Sequence, residues 1–191
     1  MTFFGEFLRS PLTVGAVAPS SGALAQVVTA PVPGNGDPVV VELGPGTGAF
    51  TGAIQRRLGG RGRHIAVEIN ERFAARLAAR HPGVDVALAD AGSLAGVLGA
   101  RGIERADVIV SGLPWVAFGE NERRDVLAAV VDGLSESGAF TTFAYVHARW
   151  ASPARRLLRS LEARFDEVVV GRTVWGNLPP ALVYHCRRPA W

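Results

Sequence analysis

The chain has 191 residues, of which 48% are hydrophobic, so it suits one globular domain and excludes a disordered chain. All 20 basic residues are arginine and outnumber the 17 acidic residues, which fits either an anionic partner or a coding bias. The single cysteine, Cys186, excludes an internal disulfide and favours a reducing compartment. Because no apolar run is long enough to span a bilayer and no signal-peptide pattern is evident, we expect a cytoplasmic protein whose membrane contact is peripheral, at the inner face.

The first 36 residues form a preamble that leads into the main fold through the breaker-rich stretch PVPGNGDP. Within residues 2–9, three phenylalanines and a leucine form an apolar stripe at helical spacing. Such a helix has two interpretations, because it can insert into a membrane interface or act as a lid over a ligand site. We therefore expect an N-terminal helical segment over residues 1–36 and the main domain over residues 37–191.

After the preamble, short β-branched runs alternate with stretches rich in alanine and arginine. The predicted strands lie at 38–43, 63–69, 84–90 and 106–112, and the predicted helices lie at 48–58, 70–80, 92–100 and 120–134. This alternation is typical of a parallel sheet with crossover helices.

The pattern changes toward the end of the chain. A strand at 138–146 and a helix at 152–165 are followed by two strand-like runs, 166–175 and 181–188. The short GNLPP connection between those two runs permits only an antiparallel hairpin. The sequence thus predicts five parallel strands closed by an antiparallel pair.

The most specific motif is VVVELGPGTGAFT at residues 39–51. Gly44, Gly46 and Gly48 allow a sharp turn and close approach of a ligand to the backbone, next to a helix N-terminus. The spacing is not that of a dinucleotide fingerprint, and Glu42 would repel a pyrophosphate placed over the helix. A cofactor that carries an ammonium and a sulfonium would instead be attracted by Glu42.

Two further acidic residues end the next predicted strands. Glu68 follows the last glycine by about twenty residues, where a carboxylate accepts hydrogen bonds from ribose hydroxyls. Asp90 ends the third strand and is placed to accept a bond from an adenine amino group. Carboxyl ends of parallel strands meet at one edge of a sheet, so we expect all three acids to face one crevice, although strand-end or helix-cap roles are the alternative.

In this combination of ELGPGTG, VEIN and LAD, the sequence resembles the class I S-adenosylmethionine-dependent methyltransferases over residues 38 to about 188. The resemblance implies a Rossmann-like α/β fold with a seven-stranded, mostly parallel sheet and an antiparallel last strand, preceded here by N-terminal helices. It also implies S-adenosylmethionine as the methyl donor, S-adenosylhomocysteine as the product and no metal. The cofactor-binding residues that we expect are Ser20, Ser21, Glu42, Gly44, Gly46, Thr47, Gly48, Glu68, Ile69, Asp90, Ala91 and Ser111.

The loop after the fourth predicted strand, Ser111-Gly112-Leu113-Pro114-Trp115, lies beside the transferred methyl group in this fold. Methyltransferases of nucleobase amines, including the ribosomal RNA adenine dimethylases, carry Asn or Asp where this chain has Gly112, and an aromatic residue three positions later. Without that acceptor side chain, a base amine is disfavoured, since a lost contact costs about 1–3 kcal/mol of selectivity.

The sequence resembles the bacterial phospholipid N-methyltransferases more closely. The matching segments are PLTVGAVAPSS at 11–21, SGLP at 111–114 and VWGNLPPA at 174–181. The resemblance implies stepwise methylation of the amine of phosphatidylethanolamine and its methylated intermediates. A strongly basic amphipathic helix, expected of membrane-bound members, is absent from the N-terminal segment.

Candidate acceptor-site residues lie at predicted strand ends on the ligand side. Trp115, Tyr145 and Trp175 are predicted to form an incomplete aromatic cage for the methylated cation, with core packing as the alternative. His147 is a candidate proton relay, and Arg149 or Arg172 a candidate for holding a lipid phosphate. As a set, the predicted catalytic residues are Ser111, Gly112, Leu113, Trp115, Tyr145 and His147, and the predicted substrate-binding residues are Trp115, Arg149, Arg172 and Trp175.

Three other functions stay open on the sequence alone. The chain could methylate a small-molecule metabolite on the same scaffold, methylate ribosomal RNA adenine, or bind the cofactor without catalysis. The expected partner is a phospholipid or small amine, with peripheral membrane contact through residues 2–9, and the oligomeric state is left open.

Overall fold

The computed structural model describes residues 20–148 and 152–190. These described residues contain seven strands and six α-helices. The strands are β1 (Val39–Leu43), β2 (Arg63–Glu68), β3 (Asp85–Leu88), β4 (Ala106–Ser111), β5 (Leu134–Tyr145), β6 (Phe165–Val170) and β7 (Ala181–Pro189). The helices are α1 (Gly22–Val28), α2 (Thr51–Leu58), α3 (Glu71–Arg80), α4 (Leu94–Gly99), α5 (Glu120–Gly133) and α6 (Ser152–Glu162).

The seven strands form one sheet in the order β3-β2-β1-β4-β5-β7-β6. Strands β1 to β5 pair in parallel, whereas β7 pairs antiparallel with both β5 and β6. The predicted fold class, a mostly parallel seven-stranded sheet with an antiparallel last strand, is confirmed. The order reverses between β1 and β4, which is the switch point where such sheets bind ligands.

Helices cover both faces of the sheet, as the alternation of side chains along the strands requires. In β1, Val41 and Leu43 face a core cluster shared with α4, α5 and α6, whereas Val40 faces a second cluster shared with α1 and α2. The central strands are apolar on both sides because both faces are covered. The result is a three-layer α/β/α arrangement.

Helix α1 belongs to this core. Leu24, Ala25 and Val28 are buried against the face that also holds α2. The Thr141 hydroxyl of β5 donates a 2.8 Å hydrogen bond to the Val28 carbonyl. The described part of the preamble therefore packs with the sheet, although the sequence placed it in a preceding segment.

Element ends differ from prediction where local chemistry decides them. Helix α2 begins at Thr51 instead of 48, because Gly46 and Gly48 have φ values of 53° and 85°, outside the right-handed helical region. The strand predicted over 166–175 ends at Val170, and Val174 forms only an isolated bridge to Ala181. Across the described ranges, 20–148 and 152–190, helices with the length and apolarity needed to cross a bilayer are absent.

Candidate active site

The carboxyl ends of β1, β2 and β3 bring the glycine motif, Glu42, Glu68 and Asp90 to one edge of the sheet. Residues 44–48, the glycine loop, follow β1 directly. Gly44 donates a 2.9 Å hydrogen bond to the Val67 carbonyl of β2, and with φ at 67° a Cβ there would lie 2.6 Å from Leu113 Cδ2. The glycine loop is therefore pressed between β2 and the loop after β4, which leaves no space for a side chain at residue 44.

Glu42 is fully buried near the end of β1. Its Oε2 accepts a 2.7 Å hydrogen bond from the Thr51 hydroxyl and lies 3.2 Å from His64 Nε2, while His64 Nδ1 lies 3.0 Å from Gln55 Nε2. Glu42 Oε1 is buried without a hydrogen-bond partner among the described residues. A buried carboxylate oxygen without a donor is costly, so Glu42 fits a ligand that brings one, such as an ammonium group.

Glu68 ends β2 and is 3% exposed. Its two oxygens accept backbone hydrogen bonds from Gly46 (3.0 Å) and Asn70 (2.8 Å), which tie the glycine loop to the start of α3. Burial raises the pKa of the Glu68 carboxyl, although these backbone bonds act in the opposite direction. Each carboxylate oxygen keeps a further acceptor position, which suits a pair of ribose hydroxyls.

A mostly apolar cleft opens beside Glu68. It is lined by Val67, Ile69, Asp90, Ala91, Leu113, Phe118, Glu122 and Val126. Ile69 is 40% exposed in this cleft, and Asp90 uses Oδ1 to accept a 2.7 Å bond from the Gly92 amide. An apolar slot with carboxylates at its rim fits a flat adenine ring that carries an amino group.

Four residues of that cleft were missed by sequence reasoning, and one of them, Val67, lies on β2 next to Glu68. Phe118 precedes α5, and Glu122 and Val126 lie on it, where no motif marks them. Burial raises the pKa of the Glu122 carboxyl, and Asp90 contributes in the same direction. The only sequence signal is the four-residue spacing of Glu122 and Val126, which places them on one side of a helix that starts at the crevice.

The loop after β4 corrects the sequence prediction for Trp115. The Ser111 hydroxyl is buried and accepts hydrogen bonds from the Leu113 amide (3.3 Å) and from Trp115 Nε1 (3.0 Å). Trp115 is 2% exposed and packs edge-on against Phe118 and Phe140. The expectation that Trp115 is an open cage wall is therefore wrong, since its indole is core with its N–H satisfied by Ser111. The Ser111 hydroxyl oxygen holds this loop by accepting both of these hydrogen bonds.

Gly112 lies between the loop after β4 and the glycine loop. Its amide donates a 2.8 Å hydrogen bond to the Leu43 carbonyl, and a Cβ at this position would lie 2.7 Å from the Gly44 carbonyl oxygen. Any side chain here would push on the backbone of the cofactor motif. The missing acceptor side chain is thus a steric feature of the site.

The aromatic pair at the end of β5 lies at the rim of the core, where Tyr145 packs edge-on against Phe143. The Tyr145 ring is half-buried and stacks on the exposed His147 ring, with centroids 5.8 Å apart and planes 11° from parallel. Burial raises the pKa of the Tyr145 hydroxyl. Of the three predicted cage residues, Tyr145 alone keeps a half-buried ring, because Trp175 is 76% exposed.

The remaining predicted residues have simpler positions. Ser21 caps α1, with its hydroxyl accepting a 3.1 Å bond from the Leu24 amide, and Ser20 precedes it in a half-buried position. Thr47 is exposed, and its carbonyl accepts a bond from Arg80. Arg172 is exposed on the loop after β6. Arg149 and residues 2–9 lie outside the described residues.

The donor and acceptor set of this crevice fits S-adenosylmethionine. Glu42 would face its ammonium group, Glu68 its ribose, and the cleft at Ile69 and Asp90 its adenine, while the glycine loop admits the backbone approach. The negative charge of these carboxylates also matches the positive charge of the methyl donor, whereas it would repel a pyrophosphate.

Solved methyltransferases share the fold. An S-adenosylmethionine-dependent O-methyltransferase from Thermotoga maritima superposes with a TM-score of 0.66 at 13% identity, covering 94% of this chain and 71% of that one. A TehB-like S-adenosylmethionine-dependent methyltransferase from Corynebacterium glutamicum gives 0.62 at 14% identity, with coverage of 97% and 96%. Fold and crevice together define a class I S-adenosylmethionine-dependent methyltransferase, which uses S-adenosylmethionine and releases S-adenosylhomocysteine.

No family model matches the chain. A full-length relative, the ornithine lipid N-methyltransferase of Singulisphaera acidiphila, is 36% identical over 97% of this chain and 94% of its own length. The chain belongs to the methyltransferase family of that enzyme.

Proposed function

We propose that the protein transfers methyl groups, one at a time, from S-adenosylmethionine to the amine of a membrane-lipid head group. The observation that carries this proposal is the 36% identity to an ornithine lipid N-methyltransferase along nearly the whole of both chains. Two head groups offer a suitable primary amine, namely ornithine lipid and phosphatidylethanolamine. The relative favours the first, and the sequence motifs at 11–21, 111–114 and 174–181 resemble enzymes of the second.

The loop after β4 supports an aliphatic amine over a base amine. Recognition of an exocyclic base amine requires an acceptor side chain where this chain has Gly112. A Cβ at Gly112 would already lie 2.7 Å from the Gly44 carbonyl oxygen. Trp115, which would have stacked on a base, is 2% exposed and packed in the core. Both elements of a base-binding site are therefore lacking.

Most of the proposed catalysis comes from residues that bind the reactants and hold them in line. The bound cofactor supplies a methyl group already activated as a sulfonium, so alignment alone provides effective molarities of about 10⁵ M or more. Glu42 and Glu68 hold opposite parts of the cofactor and so fix the direction in which the methyl group points. The backbone of residues 112–114 closes the crevice beside it.

The acceptor amine must lose a proton before it can attack, and its products carry positive charge. We assign proton acceptance to His147, whose ring is exposed at the end of β5. The Tyr145 ring, stacked on His147, presents an aromatic face that stabilises a nearby cation by about 0.5–2 kcal/mol. Arg172, exposed on the neighbouring loop, is placed to hold an anionic group of the lipid.

The experiment supplies methyl-labelled S-adenosylmethionine and, in separate reactions, vesicles with ornithine lipid, vesicles with phosphatidylethanolamine, ribosomal RNA and a metabolite extract. We expect label in the lipid extract of at least one vesicle reaction, with mono-, di- and trimethylated products appearing in that order. Vesicles of phosphatidylcholine, whose amine is already fully methylated, are the matched control. Label confined to RNA or to water-soluble metabolites would overturn the proposal.

A further inference from the structure

Exposed apolar side chains are concentrated near the end of β6. Of the six large hydrophobic residues that are exposed in the described part of the chain, four lie within residues 169–178. Two of them, Trp175 and Leu178, are 76% and 74% exposed on residues 171–180, the β6–β7 loop. Large apolar side chains exposed close together in the sequence are a candidate contact site.

The backbone of the β6–β7 loop is held firmly, so this exposure is not a result of loose packing. Asn177 is 3% exposed, and its Oδ1 accepts a 2.8 Å hydrogen bond from the Ser21 amide, while Nδ2 donates a 2.7 Å bond to the Pro179 carbonyl. The Pro180 carbonyl accepts a 2.8 Å bond from the Val146 amide. Buried polar groups thus anchor the β6–β7 loop while its apolar side chains face outward.

The charge of this surface selects one kind of partner. Arg172 is the only charged residue between Val168 and Tyr184, and acidic residues are absent from that stretch of the sequence. Arg172 is exposed, as are Val170, Trp175 and Leu178. A tryptophan and a leucine beside a single arginine suit an anionic membrane interface, where indole rings sit at head-group depth and cations meet lipid phosphates.

The β6–β7 loop lies at the same edge of the sheet as the methyl-transfer crevice. Strand β6 is antiparallel to β7, which is antiparallel to β5, so β5 and β6 end at the same edge. Through Pro180, this loop is bonded directly to the residue that follows Tyr145. A bilayer that touched the loop would therefore meet the aromatic pair Tyr145 and His147.

We propose that Val170, Arg172, Trp175 and Leu178 form a membrane-docking surface that binds an anionic bilayer. Trp175 and Leu178 enter the interface, Arg172 contacts lipid phosphate, and the head-group amine reaches the crevice without extraction of the whole lipid. This inference rests on the proposed lipid substrate. It gives Trp175 a role at the lipid surface in place of the cage role expected from sequence.

Vesicle binding tests the docking surface directly. Co-sedimentation with vesicles of phosphatidylethanolamine and phosphatidylglycerol should show partitioning about tenfold weaker for Trp175→Ser and several-fold weaker for Leu178→Ser than for the unmodified protein. Leu88→Ser is the matched control, because Leu88 is 58% exposed on β3, the opposite edge strand. Equal partitioning of the unmodified protein and both loop variants would overturn the inference.

An activity comparison separates the docking surface from the proposed function. Leu178→Ser should lose several-fold in methyl transfer to vesicles but match the unmodified protein on a short-chain aminolipid that is dispersed as single molecules. If the unmodified protein methylates neither form, the proposed function fails. If it methylates both and Leu178→Ser equals it on vesicles, the docking surface alone fails.

Two other occupants of this surface give different results. If residues 1–19 cover it, Trp175→Ser lowers the melting temperature and leaves vesicle binding unchanged. If a second copy covers it, the unmodified protein shows a concentration-dependent dimer that Trp175→Ser abolishes. Either result would contradict membrane docking, whereas an unchanged melting temperature with weakened vesicle binding supports it.

Discussion

The cofactor half and the acceptor half of the crevice are built in different ways. On the cofactor side, Glu42 and Glu68 are buried and hydrogen-bonded to the elements around them. On the proposed acceptor side, His147 and Arg172 are exposed. A preformed, buried site suits a methyl donor of fixed shape. In the proposed reaction, the amine is carried on a lipid, so its site must be open to the protein surface. Substitutions in the two halves should therefore fail differently.

The largest expected effect separates two tryptophans that sequence reasoning placed in one cage. Trp115→Ala should lower the free energy of unfolding by about 3–5 kcal/mol, because it empties a core position and removes one of the two hydrogen-bond donors to the Ser111 hydroxyl. Trp175→Ala, at a position 76% exposed, should change it by less than about 0.5 kcal/mol. Urea denaturation of both variants measures this difference. An equal loss of unfolding free energy in the two variants would contradict a surface position for Trp175.

Gly112→Asn tests how closely the two halves meet. The new Cβ would press on the Gly44 carbonyl oxygen, so the glycine loop must shift and affinity for S-adenosylhomocysteine should fall by about 100-fold or more. Calorimetric titration measures the affinity, with thermal melting as a check of folding. Gly119→Asn is the matched control, since a Cβ there meets nothing within 4 Å and asparagine is a good N-cap for α5.

Glu68→Gln should weaken S-adenosylhomocysteine binding by about 10- to 100-fold, because an amide nitrogen would oppose the Gly46 or Asn70 N–H and offer one acceptor fewer to the ribose. Glu71→Gln removes an exposed carboxylate three residues later and should leave binding unchanged. Titration of both variants with the same ligand makes the comparison. Similar affinities of the Glu68→Gln and Glu71→Gln variants would contradict a role for Glu68 in cofactor binding.

The smallest effect comes from a partly exposed ion pair at the amino end of β3, away from the crevice. Arg101 makes two 2.7 Å hydrogen bonds to Asp85, which hold the pKa of that carboxyl below its usual 3.8. The stability from this pair is therefore present above pH 3.8 and is lost as the pH falls through the lowered pKa.

Arg101→Gln should accordingly cost about 0.5–1 kcal/mol at neutral pH and less in acid. Arg124→Gln, whose pair with Asp125 is about two-thirds exposed on both sides, should cost nothing measurable. Thermal melts across the pH range follow both variants. A stability cost of Arg101→Gln that grows as the pH falls would contradict a lowered pKa for Asp85.

The cofactor half was largely predictable from sequence, because its chemistry depends on residues placed at fixed points of a regular pattern. Glycine spacing, strand ends and acidic residues put Glu42, Glu68 and Asp90 at one edge, and the structure places them there. What the pattern did not show is that Glu42 accepts a hydrogen bond from Thr51 and lies beside His64, since this arrangement joins three elements.

The acceptor half was predicted less well, for a physical reason. Aromatic residues suit both a core and a cage, and the choice depends on which way an irregular loop turns. The Trp115 indole is buried against Phe118 and Phe140, where the Ser111 hydroxyl accepts a hydrogen bond from its N–H. Trp175 is exposed. Neither outcome has a periodic signal in the sequence. Phe118, Glu122 and Val126 were missed because long-range packing alone brings them to the cleft.

The most direct test of a separate cofactor half and acceptor half is a paired measurement on Tyr145→Ala. Affinity for S-adenosylhomocysteine and the rate of methyl transfer to an aminolipid are determined on the same preparation. We predict an affinity within about twofold of the unmodified protein and a rate lower by about tenfold, because the ring contributes through the cationic acceptor. A parallel loss of affinity, or an unchanged rate, would contradict this division.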